Sequence, residues 1–185
     1  MKLDSREFSI SASKRIYPKK FLKSYNINMN KKFKKIKAEA HCDIPCGIYE
    51  PIAAKIAAKT VLRMLLQIQS IPMPKDWTNK DEVLVYLNEI TRRIQTKEEH
   101  AEICKRELRI LWADFFKKEH LEKYPNLHDI FWEALKLASK AKQNIDPKIA
   151  EELCKKVDEI AKIFYEVKND PERFKSYLDL TEKLF

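Results

Sequence analysis

His41, Cys42 and Cys46 fall within six consecutive residues, in the stretch AEAHCDIPCGIYEP that runs from Ala38 to Pro51. Two thiolates and an imidazole are donors for zinc, copper or nickel. Pro45 stands between the cysteines and Gly47 follows the second. Proline fixes φ and removes a donor, and glycine admits conformations closed to other residues, so the pair favours a tight chain reversal. Such a reversal gathers both sulfurs and the imidazole about one point. Gly47 is the one glycine among 185 residues. It is expected at a left-handed position, or at one too crowded for a Cβ.

The donor set narrows the metal. A zinc site calls for a further Cys/His pair at a regular offset. The remaining candidates, His100, Cys104, His120, His128 and Cys154, lie far along the chain. Backbone atoms supply the missing donors if His41 becomes the N-terminus. Its α-amine and the deprotonated amide nitrogen of Cys42 then complete a square plane with the two sulfurs. Square-planar donation points to nickel or copper. A disulfide between Cys42 and Cys46 is the rival reading and would make the segment a redox switch.

The run HCDIPCGIYEP closely resembles the hook of the nickel superoxide dismutases, which reads His-Cys-Asp-x-Pro-Cys-Gly-x-Tyr-Asp-Pro. Eight of nine fixed positions match, and Glu50 replaces the second aspartate. The likeness extends to about residue 168 through LWADFFKKEHLEKYP (Leu111–Pro125) and DEIAKIFYEVK (Asp158–Lys168). The resemblance implies a nickel ion cofactor and conversion of superoxide to dioxygen and hydrogen peroxide. It implies a four-helix bundle assembled as a homohexamer, and a leader cut by a processing protease just before His41. His41 would give its amine and an axial imidazole, Cys42 its amide nitrogen and thiolate, and Cys46 its thiolate. Pro45 would be the hook's cis proline. Tyr49 would line the approach to the metal, beside Phe115, and Lys142 would reach Asp43 of a neighbouring subunit. The family's glutamate and arginine that orient the imidazole fall here at Ala57 and His100. Cytoplasmic localisation is expected. The alternative is a non-enzymatic nickel or copper binding module using the same hook.

Outside the hook the bland readings prevail. His100 and Cys104, four apart on a helix, read as a polar residue beside a buried thiol, and Cys154 as core. His120 and His128 read as surface or capping groups. Trp77, Trp112 and Trp132 read as bundle or subunit packing.

Three segments must position the hook: a basic leader at 1–40, the hook at 41–51 and a helical domain at 52–185. The leader holds 12 of the 37 Lys+Arg and 3 of the 28 Asp+Glu, so the formal net charge of +9 lies wholly within it. The rest is balanced, 25 against 25. A neutral body with a basic tail describes a separable segment rather than a nucleic-acid-binding domain. The leader's composition predicts a flexible chain, and Met29 offers an alternative start. No run of about 18 apolar residues predicts a membrane span. Four scattered cysteines are not the framework of a disulfide-dense secreted domain.

The predicted fold is all-α, an antiparallel up-down four-helix bundle with a short C-terminal helix. Pro51 opens a helix over 52–70 that is apolar nearly all round, which predicts subunit contacts along it. IPMP ends it. A second helix is expected from Asn79–Asp81 to about Lys117, with room for a break at 95–97. KKEHLEKYPN reads as a connection. A third helix is expected over 127–142 and a fourth from Asp146-Pro147 to about Lys168. Asp170-Pro171 opens the short fifth, over 172–184.

Overall fold

The structure is a computed structural model and describes residues 47–185. Among these, regular structure is entirely helical: α1 (Ile52–Ser70), α2 (Lys80–Ile110), α3 (Lys118–Lys123), α4 (Leu127–Gln143), α5 (Pro147–Val167) and α6 (Pro171–Glu182). The leader, its flexibility, the alternative start at Met29 and the hook residues His41, Cys42, Asp43, Pro45 and Cys46 lie outside the described residues.

Helix starts follow their capping chemistry. Pro51 accepts the first bond of α1, from the Lys55 amide at 3.1 Å. The Asn79 side chain accepts from the amides of Asp81 and Glu82. Asp146 and Asp170 cap α5 and α6, each with proline at the first helical position. Each cap satisfies amides that have no partner inside the helix.

Helices α1, α2, α4 and α5 form the bundle, each packed on its two neighbours in the order α1–α2–α4–α5–α1. Cross-links fix antiparallel directions. Arg93 on α2 donates to Gln67 near the end of α1, and Lys55 at the start of α1 reaches Cys154 and Asp158 on α5. Alanines 54, 57, 58, 101, 134, 138, 141, 150 and 161 are buried and let the helices approach closely. Leu65, Leu108, Leu111, Leu153, Ile160 and Phe164 fill the space between them.

Three expectations are corrected. There is no break at 95–97, and α2 runs on for 31 residues, about 46 Å at 1.5 Å per residue. It exceeds the 19 residues of α1, so its first turns pass the end of α1. The chain from Ile71 returns along them, with Tyr86 bonded to Met73 and stacked edge-on against Trp77. Second, α2 does not reach Lys117 as one α-helix. It ends in a π-helical turn, Leu111–Phe115, closed by the Phe116 amide on the Leu111 carbonyl at 3.1 Å. Third, the supposed connection contains α3. The short C-terminal helix is present as α6.

Apolar exposure is not confined to α1. Ile56 and Leu66 on α1 are exposed, but larger apolar exposures occur at the α1–α2 tip, at Val85 (64 %) and Trp77 (55 %), and on α4 at Trp132 (61 %). Trp112 packs in the bundle, 5.1 Å from Phe131. No helix among the described residues is long and apolar enough to cross a membrane.

Candidate metal centre

The described chain begins at the foot of the hook. Gly47 has φ +69°, a left-handed value that side chains rarely adopt. A Cβ built there meets no atom within 4 Å. Of the two expectations for this glycine, the left-handed one holds and crowding is not the reason among the described residues.

Two residues on, Tyr49 is half-buried with its ring 5.9 Å from Phe115. Phe115 ends the π turn, where the extra residue re-aims the side chain relative to an α-helix. It rests on Phe164 at 4.4 Å and Phe116 at 5.0 Å, with His120 stacked at 6.0 Å. Gly47, Tyr49, Asp114, Phe115 and His120 border a cleft of about 350 Å³ beside the hook's exit. Lys117 and Lys168 stand at the same cleft.

Phe164 is fully buried and is the floor beneath Phe115. Replacing it by alanine is expected to cost about 3–5 kcal/mol of stability. Thermal unfolding measures that loss, and the near-ultraviolet signal of Tyr49 should change with it because Phe115 loses its support.

His120 caps α3: its Nδ1 accepts the Lys117 amide at 3.0 Å. It was expected as a capping or surface group, and its place at the cleft was missed, as were Asp114, Lys117 and Lys168. The available signal was the run Leu111–Pro125, which holds all but Lys168. His128 lies 4.5 Å from the Trp112 ring.

His100 bonds through Nδ1 to the Thr96 carbonyl at 2.9 Å. It lies seven residues after Arg93, and Thr60 lies seven before Gln67, so the Arg93–Gln67 bond sets His100 level with Thr60, one turn from buried Ala57. Lys142 faces Glu102 at 3.6 Å, and its carbonyl accepts the Lys97 ammonium at 2.6 Å. Burial lowers the Lys97 pKa, and bonds to the carbonyls of Lys142 and Asn144 hold the ammonium at the end of α4.

Cys104 and Cys154 are buried, and burial pushes their thiols up to about 12 and about 11. They are core thiols rather than ligands. No group of three or more His, Cys, Asp or Glu suited to a metal occurs among the described residues. The sulfur donors left are those of the hook, and a soft thiolate set with backbone nitrogen fits nickel.

The fold defines a four-helix-bundle protein whose described cysteines, Cys104 and Cys154, are buried in its core. The family described as nickel-containing superoxide dismutase matches residues 36–168. Superoxide dismutase [Ni] of Streptomyces seoulensis is 38% identical over 134 residues, which is 72% of this chain and 92% of the relative. That of Streptomyces coelicolor is 35% identical over the same shares. The native nickel superoxide dismutase structure superposes with a TM-score of 0.60 at 35% identity, covering 69% of this chain and 99% of the other. A structure with the nickel ligation of the oxidised state gives 0.60 at 36%, covering 70% and 99%. The chain belongs to the nickel-containing superoxide dismutase family, and is an oxidoreductase that uses nickel to convert superoxide to dioxygen and hydrogen peroxide.

Proposed function

We propose that His41, Cys42 and Cys46 hold the nickel of this superoxide dismutase, through the His41 amine and imidazole, the Cys42 amide nitrogen and the two thiolates. The observation that carries the assignment is the left-handed Gly47 directly after Cys46, leading to Tyr49 seated on Phe115 at an open cleft. Nickel held there by His41, Cys42 and Cys46 would supply one-electron redox chemistry between its +2 and +3 states. The chain's own residues do the rest. Tyr49 and Phe115 bound the approach. Lys117 and Lys168 draw in an anion, since a cleft lined by positive charge concentrates a negative substrate. Peroxide leaves with two protons, for which Tyr49, backbone amides and water are the candidate sources.

The leader is a cleavable segment, and a protease cutting before His41 frees the amine. The mature protein is a cytoplasmic homohexamer. The exposed apolar residues at the α1–α2 tip and at Trp132 favour assembly, since monomers seldom leave such patches in water. Asp43 meets Lys142 of a neighbouring subunit. Intact mass of the cellular protein tests the cleavage, and nickel content with a superoxide assay tests the site. A chain starting at His41, carrying one nickel and turning over, is the expected result. Metal without turnover would leave only a carrier.

With Ala57 and His100 where a carboxylate and a guanidinium orient the imidazole in relatives, His100 takes over part of that task. Replacing His100 by alanine is expected to lower turnover while nickel content stays nearly intact. Unchanged turnover removes His100 from the site.

A further inference from the structure

Helix α6 starts at Pro171, beyond the family match that ends at residue 168. Its place is fixed by the turn before it. Asn169 is left-handed at φ 55°, the Asp170 amide donates to the Tyr165 carbonyl at 3.0 Å, and the Asp170 carboxylate accepts the Arg173 amide at 3.1 Å. The helix therefore folds back beside α5, with Arg173 near Tyr165. Phe174 and Tyr177 form its inner face, each 5.9 Å from the Tyr165 ring. Lower down, the Tyr177 hydroxyl donates to Asp158 at 2.8 Å, and Asp158 pairs with buried Lys55 of α1 at 2.5 Å. This helix is tied to both α5 and α1.

Its upper end holds the foot of the hook. Tyr165 donates to Glu50 Oε2 at 2.7 Å, and Arg173 forms an ion pair with Glu50 Oε1. Burial first, and the Glu50 bond second, keep the Tyr165 phenol protonated. Glu50 is the one fixed position at which this hook departs from the family pattern. A glutamate carries its carboxylate one methylene farther than aspartate, out to α6. Glu50 also directly follows Tyr49, and there the chain meets partners on two helices, Tyr165 of α5 and Arg173 of α6. The Arg173 side chain is 54 % exposed, and an ion pair so open to water adds little to global stability. Its effect is local, on the freedom of the segment between Cys46 and α1.

We propose that Arg173 is a positioning residue for the nickel hook, and that α6 clamps Glu50 to fix where the chain from Cys46 to Tyr49 leaves the bundle. This rests on the assignment of the nickel to His41, Cys42 and Cys46. The test uses protein starting at His41, loaded with nickel. Parent, Arg173→Ala, Arg173→Lys, Tyr177→Phe and Cys46→Ser are compared for nickel loss to excess EDTA, the electron paramagnetic resonance of the oxidised metal, and thermal unfolding.

Arg173→Ala should lose nickel about fivefold faster than the parent and show a broadened nitrogen-coupled signal at nearly the parent's unfolding temperature. Arg173→Lys should recover most of both. Tyr177→Phe, which removes the bond to Asp158 but leaves the Arg173–Glu50 pair in place, should unfold earlier but keep the parent's nickel loss and spectrum. Parent-like nickel loss and spectrum in Arg173→Ala overturn the clamp. So does a Tyr177→Phe protein that copies the Arg173→Ala defect, because α6 would then act through bundle stability alone. A Cys46→Ser protein that holds nickel like the parent overturns the hook assignment instead, and the clamp with it.

Discussion

Replacing Cys42 or Cys46 by serine is expected to reduce superoxide dismutation to the level of the metal-free protein. A hydroxyl is not ionised at neutral pH and is a hard donor, whereas a thiolate is soft and gives electron density to the metal. That density stabilises the higher oxidation state and brings the couple into the range where superoxide can act on both sides of the cycle. The bundle should be untouched, because the substituted atoms precede Pro51, the first buried residue of the described chain. Circular dichroism and unfolding temperature matching the parent, with activity gone and the thiolate-to-nickel absorption lost, is the expected combination. Retained activity in either variant would remove that sulfur from the ligand set.

The second large effect concerns the leader. Protein with Ala40 still joined to His41 is expected to be inactive when loaded with nickel, while protein beginning at His41 is active. In the uncut chain the His41 nitrogen is an amide whose lone pair is delocalised into the carbonyl. After cleavage it is a free amine, a class whose unperturbed pKa is about 7.7–8.0, with a lone pair it can give to a metal on losing its proton. Without it the proposed site would offer at most the two thiolates, the Cys42 amide and the imidazole, a different field with a different potential. Equal superoxide dismutation by the two forms would overturn the role of the amine, and with it the reason for a removable leader.

Much of the helical layout was legible because helix starts carry chemical signatures. Asn79, Asp146-Pro147 and Asp170-Pro171 supply side-chain caps, two of them with proline at the first position, Pro51 stands just before α1, and the structure opens a helix at every one. Helix ends were less legible. The π turn after Ile110 has no residue signature, since one extra residue per turn arises from packing around Leu111 and Phe115 rather than from local preference. Lys118–Lys123 is too short for a period to emerge. A break at 95–97 followed from judging α2 too long for a compact bundle, and the helix instead overshoots its neighbour.

At the site the same division holds. Gly47 was legible because a lone glycine marks a backbone need. His120 at the cleft and Arg173 on Glu50 were not, because each depends on a contact made only when distant segments fold together. Glu50 and Arg173 are 123 residues apart.

The two core thiols place this enzyme under a hazard of its own making. Its product is hydrogen peroxide, and peroxide attacks thiolates. In the folded bundle Cys104 and Cys154 escape, shut away from water and held protonated. Each excursion to an unfolded state removes both protections at once. A sulfenic acid formed there introduces a polar oxygen into a site shaped for a bare sulfur, and the helices cannot close over it without burying an unpaired group. Where no thiol reduces the sulfenic acid again, unfolding in the presence of peroxide becomes a one-way passage. The lifetime of the protein is then set by how rarely the bundle opens, not by how favourably it recloses.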